Sequence, residues 1–252
     1  FQQDAAVDAG VLRVIVGKVP ADVPQRRRAE QWLERLGLER GDRVATIAWN
    51  DYRHLEAYYG ISGAGFVCHT INPRLFAEQI IFIINHAEDR FIFVDPMFVP
   101  LLEAVSDHIG NVEGFIVMTD EAHMPQTSLP NVICYETLIG AESAEFDWPE
   151  FDERTASALC YTSGTTGDPK GVMLTNRNLA ANVRGARDIP GIRTGDSLLS
   201  ILPLAHTYEC TIGFLIPVSM GCSIYYLNRP PSATVLMPAL HQVRPHLMLS
   251  VP

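Results

Sequence analysis

Positive charge, patterned cysteines and long unbroken apolar runs are what this sequence has little of. Each shortage closes off a class of function. Lys and Arg number 19 against 29 Asp and Glu, a net charge of −10. A general binder of nucleic acid or of an anionic membrane needs a basic surface, so neither is expected here, although a local basic loop can still hold phosphate. The five cysteines, Cys68, Cys134, Cys160, Cys210 and Cys222, form no CxxC pair and lie mostly in apolar runs. That pattern predicts small buried thiols in a reducing, cytoplasmic setting. From Cys210 to Asn228 there is no charge over a membrane-like length. Gly213, Pro217, Ser219, Gly221 and Ser223 interrupt the run, so it predicts a buried helix, a turn at Gly221 and a buried strand CSIYYL. No signal peptide is read at the N-terminus. The opening residues read as the middle of something and the closing HLMLSVP as a strand that stops, which suggests a fragment.

What is present is an alternating pattern. The chain has 252 residues, 47% hydrophobic and 19% charged, enough for one large domain or two small ones. Strands are predicted at RVATIAW (43–49), GFVCHTI (65–71), RFIFVD (90–95), GFIVMTD (114–120), SALCYTS (157–163), SLLSILPL (197–204), CSIYYL (222–227) and LMLSV (247–251). Helices are predicted over 25–36, 52–62, 76–86, 97–108, 176–188, 208–220 and 233–243. Such alternation implies an α/β fold, with mainly parallel sheets flanked by helices on both faces. The acidic, proline-dotted stretch 121–153, with VICYETL as its one strand candidate, reads as a surface excursion or linker.

The chemistry concentrates in YTSGTTGDPKG (161–171), placed after an apolar strand and before a helix-like run. Glycines let backbone amides close on an anion. Thr162, Ser163, Thr165 and Thr166 add hydroxyls, Lys170 adds a mobile positive charge, and Thr175 is placed to cap a helix from Asn176. These hydroxyls, amides and the ammonium all donate, so the ligand expected is an anion with many acceptors, and a polyphosphate fits. The spacing is not that of a Walker loop, since Pro169 stands where the second glycine is required. GISGAGFVC likewise fails the dinucleotide pattern at Cys68. His241 and His246 lack metal-ligand spacing, and Glu209 reads as a solvated or capping carboxylate. No Ser-His-Asp set or paired carboxylates stand out, so no catalytic residue and no metal ligand is assigned.

YTSGTTGDPKG closely resembles the phosphate-binding signature of the adenylate-forming (AMP-binding) superfamily. GLERGDRVATIAWN (37–50), INPRLFAEQIIFIINHAEDRFIFVD (71–95), GVMLTNRNLAANV (171–183) and LLSILPLAHTYE (198–209) resemble the large domain of its medium- and long-chain fatty-acyl-CoA synthetases. The resemblance covers about 29–252 and leaves 1–28 as an unassigned head. It implies a partial large domain with the phosphate loop at 161–171, and ATP-dependent conversion of a fatty acid to acyl-adenylate and then to acyl-CoA. Carried over by position, Thr162, Ser163, Gly164, Thr165, Thr166, Gly167 and Lys170 hold the ATP phosphates, and His206, Thr207 and Tyr208 lie near the acyl group and adenylate. The implied small molecules are a fatty acid, ATP with Mg²⁺, and coenzyme A. No nucleic acid and no transmembrane segment is implied; peripheral membrane contact and oligomeric state stay open. The family's later Glu, Asp and Lys signatures and its C-terminal domain would follow Pro252, so the chain alone is expected to be inactive. Two alternatives stay open: an adenylating enzyme for amino or aryl acids, and a non-catalytic nucleotide-binding fragment.

Overall fold

Apolar strands without alternation need cover on both faces, and helices supply it. The computed structural model describes residues 2–7, 11–15, 33, 35–141, 149–162, 168–188, 191–227 and 230–250. It divides into two units, one built from Pro24–Ala48 and Arg53–Arg177, the other from Phe1–Val23, Trp49–Tyr52 and Asn178–Pro252.

Strands β1 (Gln2–Val7) and β2 (Val11–Ile15) open the chain, and β3 (Arg43–Ile47) begins the first of these units, which we call the seven-stranded unit. There β3 is followed by α1 (Tyr52–Gly63), β4 (Val67–Ile71), α2 (Ala77–Ala87), β5 (Phe91–Val94), α3 (Val99–Val105), β6 (Gly114–Val117), β7 (Val132–Cys134), α4 (Tyr135–Gly140), β8 (Ala156–Thr162) and β9 (Lys170–Thr175). The strand order is β7-β6-β5-β3-β4-β8-β9, parallel throughout except for antiparallel β9. Every residue of β4, β5 and β6 is buried. Helix α2 turns Ile80, Ile83 and Ile84 onto the core at helical spacing, and α3 adds Val99, Leu102 and Val105. The Gln79 side chain accepts from the Phe76 amide at 3.2 Å and closes the first turn of α2.

Two expectations change here. The stretch after Glu121 is more than an excursion. Strand β7 pairs with β6, and Tyr135 is fully buried with its hydroxyl donating to Glu56 at 3.0 Å. Three strand residues, inside the candidate VICYETL, and one buried tyrosine suffice to anchor it; residues 142–148 lie outside the described ones. The phosphate motif is also not followed directly by a helix. Strand β9 intervenes, so α5 (Asn176–Ala186) starts at the far end of a hairpin. The amides of Asn176 and Arg177 are met by the carbonyls of Thr155 and Glu153.

The five-stranded unit has the order β1-β2-β11-β10-β12, with β10 (Ser197–Ser200), β11 (Ser223–Leu227) and β12 (Leu247–Met248). The head left unassigned from sequence contributes strands β1 and β2, a pair whose second member joins β11 antiparallel. Strand β10 runs parallel to both β11 and β12. Between β10 and β11 the uncharged run becomes a π-helix over Glu209–Leu215 and then α6 (Ile216–Met220). Gly221 ends it at φ +71°, the left-handed conformation that glycine adopts without strain, and a buried β11 follows. Helix α7 (Ala233–Val243) has the bounds its pattern predicts. The predicted helix over 25–36 falls mostly outside the described residues, although Leu33 within it is helical and fully buried. All five cysteines are free and buried, as their apolar settings predict.

Candidate functional site

The β8–β9 hairpin leaves the sheet at the carboxyl end of β8, where open α/β sheets place ligands. Its last register pair is Thr162 with Lys170, and the Thr162 hydroxyl reaches the Lys170 carbonyl at 3.5 Å. Both residues are exposed, so a hydroxyl and an ammonium stand at the two stems of the loop. Ser163, Gly164, Thr165, Thr166 and Gly167, expected to close on phosphate, lie outside the described residues.

The stem is braced from below by groups that motif reading passes over. Tyr161 lays its ring against that of His69, with centroids 5.0 Å apart, and its hydroxyl bonds His86 Nδ1 at 2.6 Å. His69 and Asp89 are both fully buried, with Nδ1 to Oδ2 at 2.7 Å. His69 Nε2 and Asp89 Oδ1 have no hydrogen-bond partner among the described residues. Burial pushes the Asp89 carboxyl above its ordinary range, while His69 and then Arg43 pull it back. Burial and the Asp89 charge likewise raise the Tyr161 phenol. A lone His inside the apolar run VCHTI, and an Asp just ahead of FIFV, were the available signals for this pair.

His206, Thr207 and Tyr208 belong to the five-stranded unit, in the turn after β10, and all three are exposed. The His206 amide donates to the Pro203 carbonyl at 2.9 Å, and the Tyr208 amide donates to His206 Nδ1 at 3.2 Å. With Nδ1 accepting, the ring proton sits on Nε2. The His206 and Tyr208 rings meet edge-on at 6.4 Å.

Glu209, one residue further on, overturns its expectation as a solvated or capping carboxylate. It is 1% exposed. Ser200 Oγ donates to its Oε1 at 2.5 Å, and Oε2 has no partner among the described residues. Burial pushes its carboxyl up to about 7, opposed only by the Ser200 hydrogen bond. Ser200 in turn accepts from Asn50 Nδ2 at 2.9 Å. Asn50 also donates to the Leu202 carbonyl at 2.8 Å and accepts from the Leu204 amide at 2.9 Å. The one clue in the sequence was that Glu209 is the last charge before a long uncharged run. Among the described residues no group of three His, Cys, Asp or Glu is placed to hold a metal, and no helix is long and apolar enough to cross a membrane.

Comparison with known proteins gives this geometry a family. Over 201 residues the chain is 45% identical to a 3-methylmercaptopropionyl-CoA ligase of Ruegeria lacuscaerulensis, covering 79% of this chain and 37% of that protein. Over 182 residues it is 44% identical to a medium-chain-fatty-acid–CoA ligase of Ectopseudomonas oleovorans, covering 71% of this chain and 33% of that protein. The chain thus spans little more than a third of the length of these curated relatives. The crystal structure of the anthranilate CoA ligase AuaEII in complex with anthranoyl-AMP shares its fold, with a TM-score of 0.78 at 22% identity over 89% of this chain and 43% of that one. The profile of the AMP-binding enzymes matches residues 25–252, and the chain belongs to that family.

Proposed function

We propose that this chain is the phosphate-gripping part of an acid–thiol ligase that activates a fatty acid with ATP and passes it to coenzyme A. The observation that carries the reading is the β8–β9 hairpin, with Thr162 and Lys170 exposed at its two stems. In the first half-reaction the acid's carboxylate oxygen bonds to the α-phosphorus of ATP as the bond to the β-phosphate oxygen breaks. Acyl-adenylate forms and pyrophosphate leaves with the electron pair. Thr162 and Lys170, with residues 163–167 between them, meet the negative charge growing on that pyrophosphate. In the second half-reaction the coenzyme A sulfur bonds to the acyl carbon and AMP leaves. The described residues offer phosphate donors and no ready carboxylate cage. Mg²⁺ bound together with ATP would supply further charge neutralisation on the leaving pyrophosphate. We assign residues 29–252 to a partial AMP-binding large domain, and the pairing of β2 with β11 supports adding the head to it.

The 45% identical relative is named for a short thioether acid, which favours a second substrate reading. Pyrophosphate exchange by the complete enzyme, run with fatty acids of increasing length, 3-methylmercaptopropionate, and amino and aryl acids, separates the readings. Fatty acids are expected to give the highest kcat/KM. In the same assay Lys170→Ala is expected to slow adenylation by about 10²-fold and thioester formation from preformed adenylate far less. Equal slowing of both steps would count against the phosphate role.

A further inference from the structure

Glu209 breaks three local rules at once. It is a buried acid with one oxygen unpartnered among the described residues, which costs stability compared with an apolar residue of similar size. It begins a π-helix, in which the Ile216 amide reaches back five residues to the Thr211 carbonyl. Such turns are uncommon and gather at functional sites. The same helix also gives up a side chain at Gly213, where a Cβ would lie 2.5 Å from the Glu209 carboxyl carbon. Three departures from what a stable core would choose, all serving one carboxyl, mark a residue kept for something other than stability.

The hydrogen bonds say what it is kept for. Ser200 ends β10 and Glu209 starts the helix, and their side-chain bond closes the nine-residue step between them. Asn50 clamps the inner half of that step at Ser200, Leu202 and Leu204. At the outer half the Cys210 amide donates to the His206 carbonyl at 2.9 Å. The base of the loop, Leu202 to Leu204 and Glu209 to Cys210, is buried; its apex, His206 to Tyr208, is exposed. A buried base with an exposed apex is the arrangement that holds a ligand-facing side chain still.

We propose that Glu209 is a positioning residue for acid recognition, fixing through Ser200 and Asn50 the turn that presents His206. The inference rests on the reading of His206, Thr207 and Tyr208 as the wall beside the acyl group. It adds that the exposed apex is set by a carboxyl that never touches the acid.

The test uses the complete enzyme and pyrophosphate exchange, with KM for acid and for ATP, kcat, and thermal unfolding measured on each variant. Glu209→Ala and Ser200→Ala are each expected to lower kcat/KM for the acid by about tenfold, the cost of one buried hydrogen bond, with KM for ATP unchanged. The double variant is expected to be no worse than either single one, because both cut the same chain. Glu209→Gln, whose amide oxygen still accepts from Ser200, is expected to restore wild-type kinetics. Should Glu209→Ala fail to fold, Ser200→Ala removes only a hydroxyl and carries the same test. A lowered melting temperature with unaltered kinetics, multiplying defects in the double variant, or an equal rise in KM for ATP would overturn the inference. His206→Ala separates the two levels. If it leaves acid recognition intact, the reading of the wall fails and this inference with it. If it is defective while Glu209→Ala and Ser200→Ala are not, only the inference fails.

Discussion

Asp89 in the seven-stranded unit and Glu209 in the five-stranded unit are both acids withdrawn from water, and the two units solve that problem differently. Asp89 has a titratable partner, His69, at 2.7 Å and a guanidinium, Arg43, near enough to act on it. Glu209 has, among the described residues, one hydroxyl. Burial raises both, but only Glu209 is held up without an opposing charge, and its carboxyl is carried to about 7. A charge that meets a charge can stay ionised inside a protein, whereas one that meets only a hydroxyl takes up a proton instead. The seven-stranded unit therefore buries an acid–base pair beneath the β8–β9 stem. The five-stranded unit buries an acid whose carboxyl is pushed up to about 7 at the start of the helix after β10.

The largest way to break this contrast is to remove one member of the pair. His69→Leu leaves Asp89 buried without its partner and is expected to cost about 3–5 kcal/mol in urea unfolding. Adding Asp89→Leu is expected to recover most of that. A loss under about 1 kcal/mol would mean that Asp89 finds other support and resembles Glu209 after all.

Next comes the pH dependence of Glu209. Its folded value of about 7 lies above the ordinary 4.5, so between these two the folded state holds more protons than the unfolded state. Stability is fully present below 4.5 and falls as pH rises through 7, by roughly 3 kcal/mol at about 1.4 kcal/mol per unit. Chemical denaturation at a series of pH values should show this decline, and Glu209→Gln should flatten it. A wild-type profile already flat across that window would show that Glu209 carries its charge inside.

The smallest effect is steric. Gly213→Ala places a methyl against a carboxyl that Ser200 prevents from moving away, an overpacking expected to cost about 1–3 kcal/mol. In a Glu209→Ala background the same substitution should cost little, since the obstacle is gone. Additive losses would show that the helix backbone, and not Glu209, resists the methyl.

Most of the fold was legible because parallel strands advertise themselves. VCHTI, FIFV and GFIV are buried at every position, and each is an apolar run in the sequence. Strand β9 was not legible, for the opposite physical reason. It is an edge strand whose residues are all exposed or half-buried, so its pattern carries no burial signal, and only the antiparallel partner β8 makes it a strand. Strands β1 and β2 lie in the head that the family resemblance does not reach. At the candidate site, the clustered glycines and hydroxyls single out the loop that the β8–β9 hairpin carries, because they are neighbours in sequence. Asn50 and Ser200 stayed hidden because their bond is made across 150 residues, and Glu209, nine residues after Ser200, looks like an ordinary polar residue.

That separation has a consequence for how the protein is made. Asn50 lies in Trp49–Tyr52, four residues claimed by the five-stranded unit while the chain on either side belongs to the other. Ser200 follows it by 150 positions. At ribosomal speeds of about 5–20 residues per second, Asn50 waits roughly 8 to 30 s before its partner is synthesised. Until then water must serve all three of the hydrogen bonds that Ser200, Leu202 and Leu204 later take over. A nascent chain that ends before Ser200 already holds the sequence of every strand of the seven-stranded sheet, yet Asn50 still has none of these partners. The five-stranded unit is thus the last part of this chain to be completed, and the hydrogen bonds that set its His206 turn form only once that wait is over.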